Sequence, residues 1–271
     1  MIFDSGTVAL SASADLLLGA VINTGANQDA SPISLMVVNG DQVAEAFDVD
    51  QSAGVRVGHN SANAPEVDVL VNDAKVFSNL AFTETVPSAA RDSYAALPGG
   101  ETNVKVAVSA DNTLVPIDAD LLLVNGQGYT ALAIGLVGDV DTPIEALVLE
   151  DSVRSIATQA SLRVVHGSTA AGNVNVYLLP EGQETVGNAT PVLADAPYKA
   201  VTGYLPVAAD TYNLVVTDAD GNAAIGPAEI TLDAGAVYTA VARDGQQSGS
   251  SSLTDFGLIL LDDFVPQPTQ N

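Results

Sequence analysis

The chain has 271 residues, 47% of them hydrophobic and only 15% charged, which suits one large or two ordinary domains with buried cores and excludes a disordered tail. Its 33 acidic against 8 basic residues give a formal charge of −25, which repels nucleic acid and anionic membrane, and no basic stripe overrides that field. The absence of cysteine excludes disulfides, thiolate metal sites and a Cys nucleophile, and no apolar run reaches the roughly 18 residues of a membrane span.

Taken in order, residues 1–53 read as the tail of a repeat without its beginning. The N-terminal stretch has no basic segment, and Asp4 and Asp15 interrupt its apolar residues, so it does not read as a signal peptide. VALSASADLLLGAVINTG (8–25) lies over LLLVNGQGYTALAIGLVG (121–138) at an offset of 121 − 8 = 113. SPISLMVV (31–38) lies over TPIEALVL (142–149) at 142 − 31 = 111. Such a fragment leaves Leu16, Leu17, Leu18, Val21, Ile33, Leu35, Met36 and Val37 to be covered by the first repeat, by another subunit or by further sequence.

The first full repeat spans residues 54–152. Its opening, RVGHNSANAPEVDVLV (56–71), recurs as RVVHGSTAAGNVNVYL (163–178), and Arg56, His59 and Ser61 match Arg163, His166 and Ser168 in one register (163 − 56 = 166 − 59 = 107). Strand-like alternation follows in Val67, Val69 and Val71 and again in Val104, Val106 and Val108. Asp111–Asn112 marks a hairpin, Asn125–Gly126 reads as a hairpin turn of the primed type, and YTALAIGLV with PIEALVLED closes the unit. The second repeat, 161–264, keeps this order after the linker VRSIATQA (153–160), and residues 265–271 form a tail. The segments 83–93 and 180–190 are insertions at different places in the two copies.

Seven or so short strands per repeat, with a turn every 8–12 residues, predict an all-β chain of two tandem antiparallel β-sandwiches. The pattern R-V-x-H-x-S-x-x-A-x-x-V-(D/N)-V, a Leu-Pro turn and a Gly-x-Tyr-Thr strand resembles domain-of-unknown-function family 4397, over residues 54–264 as two copies. The Ser-Pro-(Asp)-Ala-Pro turn usual in that family stands here as Ser61-Ala62-Asn63-Ala64-Pro65, and less closely as Ser168-Thr169-Ala170-Ala171-Gly172. The resemblance implies Ig-like sandwiches on secreted or envelope-associated proteins and implies no particular activity.

His59 and His166 are the only histidines and share a slot, which points to imidazoles tying down the following loop. Ser61, His59 and Asp68 can be drawn as a triad, but no G-x-S-x-G elbow supports it and the second repeat carries Asn175 in place of the Asp. Arg56 and Arg163 are expected to pair with carboxylates near strand ends. Asp218, Asp220 and Asn222 outline a calcium loop, against which Asp-Gly between two strands is a common type I′ turn. No cofactor is expected beyond that calcium candidate.

The function expected is a non-enzymatic extracellular structural protein, a subunit of a surface filament or envelope layer. Its partner would be itself, through strand contacts of Leu16, Leu17, Leu18, Val21, Ile33, Leu35 and Val37. The alternative is a monomeric cell-surface adhesin-like module that binds a glycan or envelope component, with the insertions at 83–93 and 180–190 as its loops.

Overall fold

The computed structural model describes residues 3–7, 16–27, 31–40, 42–88, 94–152, 154–247 and 252–264. The expectations that touch residues 1–2, 8–15, 89–93 of the first insertion, 248–251 and the tail 265–271 lie outside the described residues. Among the described residues there are twenty strands and no helix, hence no helix long and apolar enough to cross a membrane.

A three-stranded antiparallel meander comes first: β1 (Leu16–Ile22), β2 (Ile33–Asn39) and β3 (Gln42–Ala46). The first unit follows with β4 (Ala53–His59), β5 (Val67–Val71), β6 (Ala74–Leu80), β7 (Thr85–Val86), β8 (Ala95–Leu97), β9 (Gly100–Val108), β10 (Ile117–Leu123), β11 (Gly128–Ile134) and β12 (Glu145–Asp151). The second has β13 (Ala160–His166), β14 (Val174–Pro180), β15 (Leu193–Ala196), β16 (Leu205–Val207), β17 (Asp210–Thr217), β18 (Ala223–Leu232), β19 (Val237–Arg243) and β20 (Gly257–Phe264).

Each unit is a sandwich of two sheets, and the strand orders are the same. β10-β9-β5-β6 faces β12-β11-β4 with β7 and β8 along its edge, and β18-β17-β14-β15 faces β20-β19-β13-β16. The period-2 alternation supplies the cores. Val55, Val57, Val67, Val69, Val104, Val106, Tyr129 and Ala131 meet inside the first unit. Leu162, Val164, Val174, Val176, Leu214, Val216, Tyr238 and Ala240 meet inside the second.

One feature departs from an all-antiparallel reading. β4 pairs parallel to β11, and β13 pairs parallel to β19. Parallel strands are usually covered on both faces. That holds here, where β4, β11 and β13 are buried along their whole length. The cover on the second face is the other unit. Leu132, Ile134 and Leu149 of the first unit pack with Val165 and Val241 of the second, flanked by Leu147, Tyr198 and Ile259. Burying each such side chain is worth about 1.5–3 kcal/mol, enough to hold the sandwiches face to face.

Two turns also differ from expectation. Asn125–Gly126 joins β10 to β11, which lie in different sheets, and of the two only Gly126 takes a positive φ (72°). The turn therefore carries the chain across the sandwich and is not a primed hairpin. At 218–222 the backbone N–H of Gly221 donates to Asp218 O, and of these residues only Gly221 has a positive φ (85°). A type I′ turn needs two such residues, so this hairpin closes with a single left-handed glycine.

Candidate functional site

Along β4 and β13 every second side chain enters its own core, and the intervening ones face the other unit. Val55, Val57 and His59 point inward, so Arg56 must point across the interface; Leu162, Val164 and His166 do the same for Arg163. Arg56 Nη2 meets Asp263 Oδ1 at 2.5 Å, at the end of the second unit's last strand. Arg163 Nη2 meets Asp151 Oδ1 at 2.6 Å, at the end of the first unit's last strand. All four side chains are buried, with at most 4% exposure.

The surroundings repeat with the same reciprocity. Arg56 Nε and Nη2 donate to Thr130 Oγ1 at 3.2 and 2.9 Å, and Arg163 Nε donates to Thr239 Oγ1 at 3.0 Å. Each threonine hydroxyl donates onward at 2.5 Å, Thr130 to Asp151 and Thr239 to Asp263. Tyr94 OH donates to Asp151 at 2.8 Å and Tyr204 OH to Asp263 at 3.0 Å, while the Arg56 and Arg163 guanidinium carbons lie 5.0 and 4.7 Å from those two tyrosine ring centres. Arg56 also donates to Asp262 O at 3.4 Å, and Arg163 to Glu150 O at 2.9 Å. The result is a pseudo-two-fold clasp with two positive and two negative charges.

Burial alone would lower the two arginines, and the Asp263 and Asp151 carboxylates beside them more than offset it. Burial and the adjacent carboxylates push both tyrosine hydroxyls up, so each remains a hydrogen-bond donor. Buried ion pairs repay their desolvation only with such complete hydrogen bonding. The clasp therefore adds register and direction to an interface whose attraction comes from the apolar cluster beside it.

The histidines occupy the inner end of the same strands. His59 Nδ1 accepts the backbone N–H of Ser61 at 3.3 Å, and Nε2 donates to Pro65 O at 3.1 Å. His166 repeats this with Ser168 N–H at 3.4 Å and Gly172 O at 2.7 Å. An acceptor at Nδ1 makes both rings neutral Nε2–H tautomers. Burial pushes both imidazoles down, against the opposing pull of their carbonyl partners and of Glu84 and Asp244. The serines fasten the other side of the loop, Ser61 Oγ to Gly135 O at 2.7 Å and Ser168 Oγ to the Asp244 carboxylate.

Asp68 does not join His59 and Ser61. Its oxygens accept from Asn79 N–H at 3.0 Å, Ser109 Oγ at 2.6 Å, Asn112 Nδ2 at 2.9 Å and the Lys75 ammonium. Asn175, its counterpart, accepts Asp195 N–H at 2.9 Å. Asn79 and Asp195 both have positive φ (57° and 46°), where β6 and β15 break register against β5 and β14. This carboxylate or amide thus holds an edge-strand bulge in each unit.

Asp218 spends its oxygens on its own turn, accepting from Asp220 N–H at 2.9 Å, Asn222 N–H at 2.8 Å and Asn222 Nδ2 at 2.9 Å. Among the described residues, no group of three or more His, Cys, Asp or Glu side chains is placed to hold a metal ion.

A model of the domain of unknown function DUF4397 matches residues 53–177 and again 182–271. The chain belongs to this family. No curated protein matches the chain. Among solved structures, one described as a "putative cell adhesion protein" from Bacteroides fragilis NCTC 9343 aligns at 9% identity, covering 80% of this chain and all of that one. Its TM-score of 0.18 is too low to carry an argument about fold or function.

The DUF4397 match begins at Ala53, the first residue of β4, so the whole β1–β3 meander lies outside it. That meander is joined to the first unit by a narrow neck. Ala26 N–H donates to Gly126 O at 2.7 Å, Gln51 Nε2 to Ala26 O at 2.7 Å, and Asn125 Nδ2 to Val49 O at 2.6 Å. Asn23 Nδ2 braces the neck by donating to Gln51 Oε1 at 2.7 Å. Phe47 packs against Gly25 and Gly126, where any Cβ would collide with its ring. Grooves of about 380 and 610 Å³ run on either side of Phe47; Met36, Arg154 and Tyr204 line the first, and Val49, Leu122 and Val124 the second.

Of the assembly candidates, Leu16, Leu17 and Leu18 are exposed, Val21, Ile33, Leu35 and Met36 half-buried, and Val37 buried. Sequence reasoning did not single out Ile22, which is 81% exposed, or Asp151, Asp263, Tyr94, Tyr204, Thr130 and Thr239. The signal for the clasp was present, since the carboxylate ending each closing strand and the Tyr-Thr pair opening β11 and β19 both recur.

Proposed function

We propose that this DUF4397 chain is a non-enzymatic structural subunit of the extracellular surface, assembling with copies of itself through the β1–β3 meander. The observation that carries the reading is the meander itself, a sheet on a narrow neck with Leu16, Leu17, Leu18, Ile22 and Val43 exposed and, among the described residues, no strand paired to the outer edge of β1. The recurrent polar residues support it from the other side. Arg56, Arg163, His59, His166, Ser61 and Ser168 each have partners that join strands, loops or units. A group committed to such bonds is not free for acid–base or nucleophilic work.

The charge of −25 suits a hydrated surface facing salt-containing surroundings, and the family resemblance implies an envelope or secreted setting. No cofactor is required by this role.

The test is sedimentation velocity and electron microscopy of the purified full-length chain, beside a chain lacking residues 1–52. Concentration-dependent assemblies are expected for the full-length chain and not for the deletion. Assembly that survives the deletion places the joint elsewhere. Saturable binding of a glycan by a chain that never assembles would favour the adhesin-like alternative.

A further inference from the structure

The β1–β2 hairpin matches β11–β12 in its pairing register as well as in sequence. Leu16 pairs with Asn39, Leu18 with Val37 and Ala20 with Leu35. At the two sequence offsets these become Tyr129 with Glu150, Ala131 with Val148 and Ala133 with Ala146, which are the pairs formed in the first unit. The hairpin is therefore built as the closing hairpin of a sandwich, and each of its faces has a known counterpart.

Leu16, Leu18, Ala20, Leu35 and Val37 correspond to the core-facing side of β11–β12, where Tyr129, Ala131, Ala133 and Ala146 meet the opposite sheet. Leu17, Gly19, Val21, Met36 and Val38 correspond to the side that packs on the other unit, where Leu132, Ile134, Leu147 and Leu149 lie. In the meander this second side turns toward the first unit, with Met36 lining the groove beside Phe47. Among the described residues no sheet faces the core-type side, on which Leu16, Leu18 and Ile22 are 37%, 47% and 81% exposed while Ile33 and Leu35 are half-buried and Val37 is buried.

We infer that the core-type face of the meander packs against the same face of a second copy of this chain, forming an intermolecular β-sandwich of two three-stranded sheets. In the first unit the corresponding face is met by Val67, Val69, Val104, Val106 and Ile117, so its chemical match is another apolar strand face. A second copy carries one. Charge also selects it: two chains of −25 repel each other, but LLLGAVI and ISLMVVN contain no ionisable side chain, so the copies can meet here without burying like charges.

Sheets pack about 10 Å apart, and a face of two seven-residue strands and one five-residue strand measures at most roughly 14 by 24 Å. Pairing two such faces covers roughly 600–700 Å², below the size of a standard specific interface, so the dimer is weak and concentration-dependent. This inference rests on the assembly reading above and specifies its first contact. A face-to-face pair closes on itself, and the β1 and β3 edges remain open for further growth.

The experiment is sedimentation equilibrium of the full-length chain and four variants, each checked by far-ultraviolet circular dichroism for retained β structure. Leu18→Glu and Ile22→Glu put a charge on the core-type face. Leu17→Glu puts one on the opposite face of the same strand at a residue 65% exposed, and Val140→Glu does so at a remote residue 90% exposed. The wild-type chain is expected to dimerise. Leu18→Glu and Ile22→Glu are expected to weaken this at least ~10-fold, and Leu17→Glu and Val140→Glu less than ~3-fold, with every ~10-fold equal to 1.4 kcal/mol.

A chain that stays monomeric throughout overturns the inference. So does equal weakening by Leu17→Glu and Leu18→Glu, which would point to edge pairing. Dimers without larger assemblies would leave the inference standing and sink the structural-subunit reading. Assemblies indifferent to Leu18→Glu and Ile22→Glu would do the reverse.

Discussion

Replacing Arg56 by methionine removes one half of the interunit clasp while keeping an apolar stem of similar length. The change deletes the 2.5 Å pair with Asp263, both bonds to Thr130 and the contact with the Tyr94 ring. Asp263 stays buried, with Thr239 and Tyr204 as donors and Arg163 at 3.8 Å as its nearest remaining cation. Stranding one member of a buried ion pair costs about 3–5 kcal/mol, and the surviving donors put the expectation at the lower end, about 3 kcal/mol. The assay is urea unfolding followed by circular dichroism and tyrosine fluorescence, since the chain has seven tyrosines and no tryptophan. The double variant Arg56→Met/Asp263→Leu removes both charges of the shorter pair and is expected to be less destabilised than Arg56→Met alone, because it strands no carboxylate. A cost below about 1 kcal/mol for Arg56→Met would put the pair among solvent-exposed bridges and refute the buried clasp. A double variant as unstable as the sum of the two single changes would refute the claim that stranded charge is what costs.

Acid titration should show an early loss of stability. Both imidazoles are held neutral with pKa values below their unfolded value of about 6.5, so the unfolded chain binds more protons as pH falls through that value. The histidine contribution is thus complete above pH ~6.5 and declines below it; a urea midpoint that stays flat between pH 7 and 5 would contradict the burial of both rings. Asp68→Asn, which copies Asn175, should cost less than Asp68→Ala, because the amide oxygen still accepts Asn79 N–H, whereas alanine strands it at about 1–3 kcal/mol; equal urea midpoints for the two variants would deny the bulge a role. Phe47→Ala removes the ring that packs on Gly25 and Gly126 and should loosen the neck, raising the rate of limited proteolysis around residues 47–52 while the units keep their urea midpoint. Unchanged proteolysis would mean that Phe47 does not seat the meander.

Much of the fold was legible because the strands alternate and the repeat is long. The offsets that laid residues 8–25 over 121–138 and 31–38 over 142–149 agree with the pairing register the structure shows for β1–β2 and β11–β12, since a one-residue slip would have moved every apolar side chain to the wrong face. The inward histidines followed from sharing parity with Val57 and Val164. What lay beyond reach was whatever faces a strand from outside its own unit. Parity says that Arg56 and Arg163 point away from their cores, but Asp263 lies 207 residues from Arg56, and no local pattern shows that the two units exchange carboxylates. The parallel pairing of β4 with β11 was hidden for a related reason, because coverage by a second sandwich resembles ordinary core in the sequence. Asn125–Gly126 misled because a glycine turn that crosses between sheets and one that closes a hairpin share their residue types.

Self-assembly through the meander is the role proposed for its exposed apolar residues. Sedimentation velocity of the purified full-length chain, run from low to high micromolar concentration in moderate salt to screen its charge, tests it most directly. Sedimentation coefficients are expected to rise with concentration above that of a 27.5 kDa monomer and to return to the monomer value when residues 1–52 are removed. A single monomer boundary at every concentration, identical with and without those residues, would contradict the account.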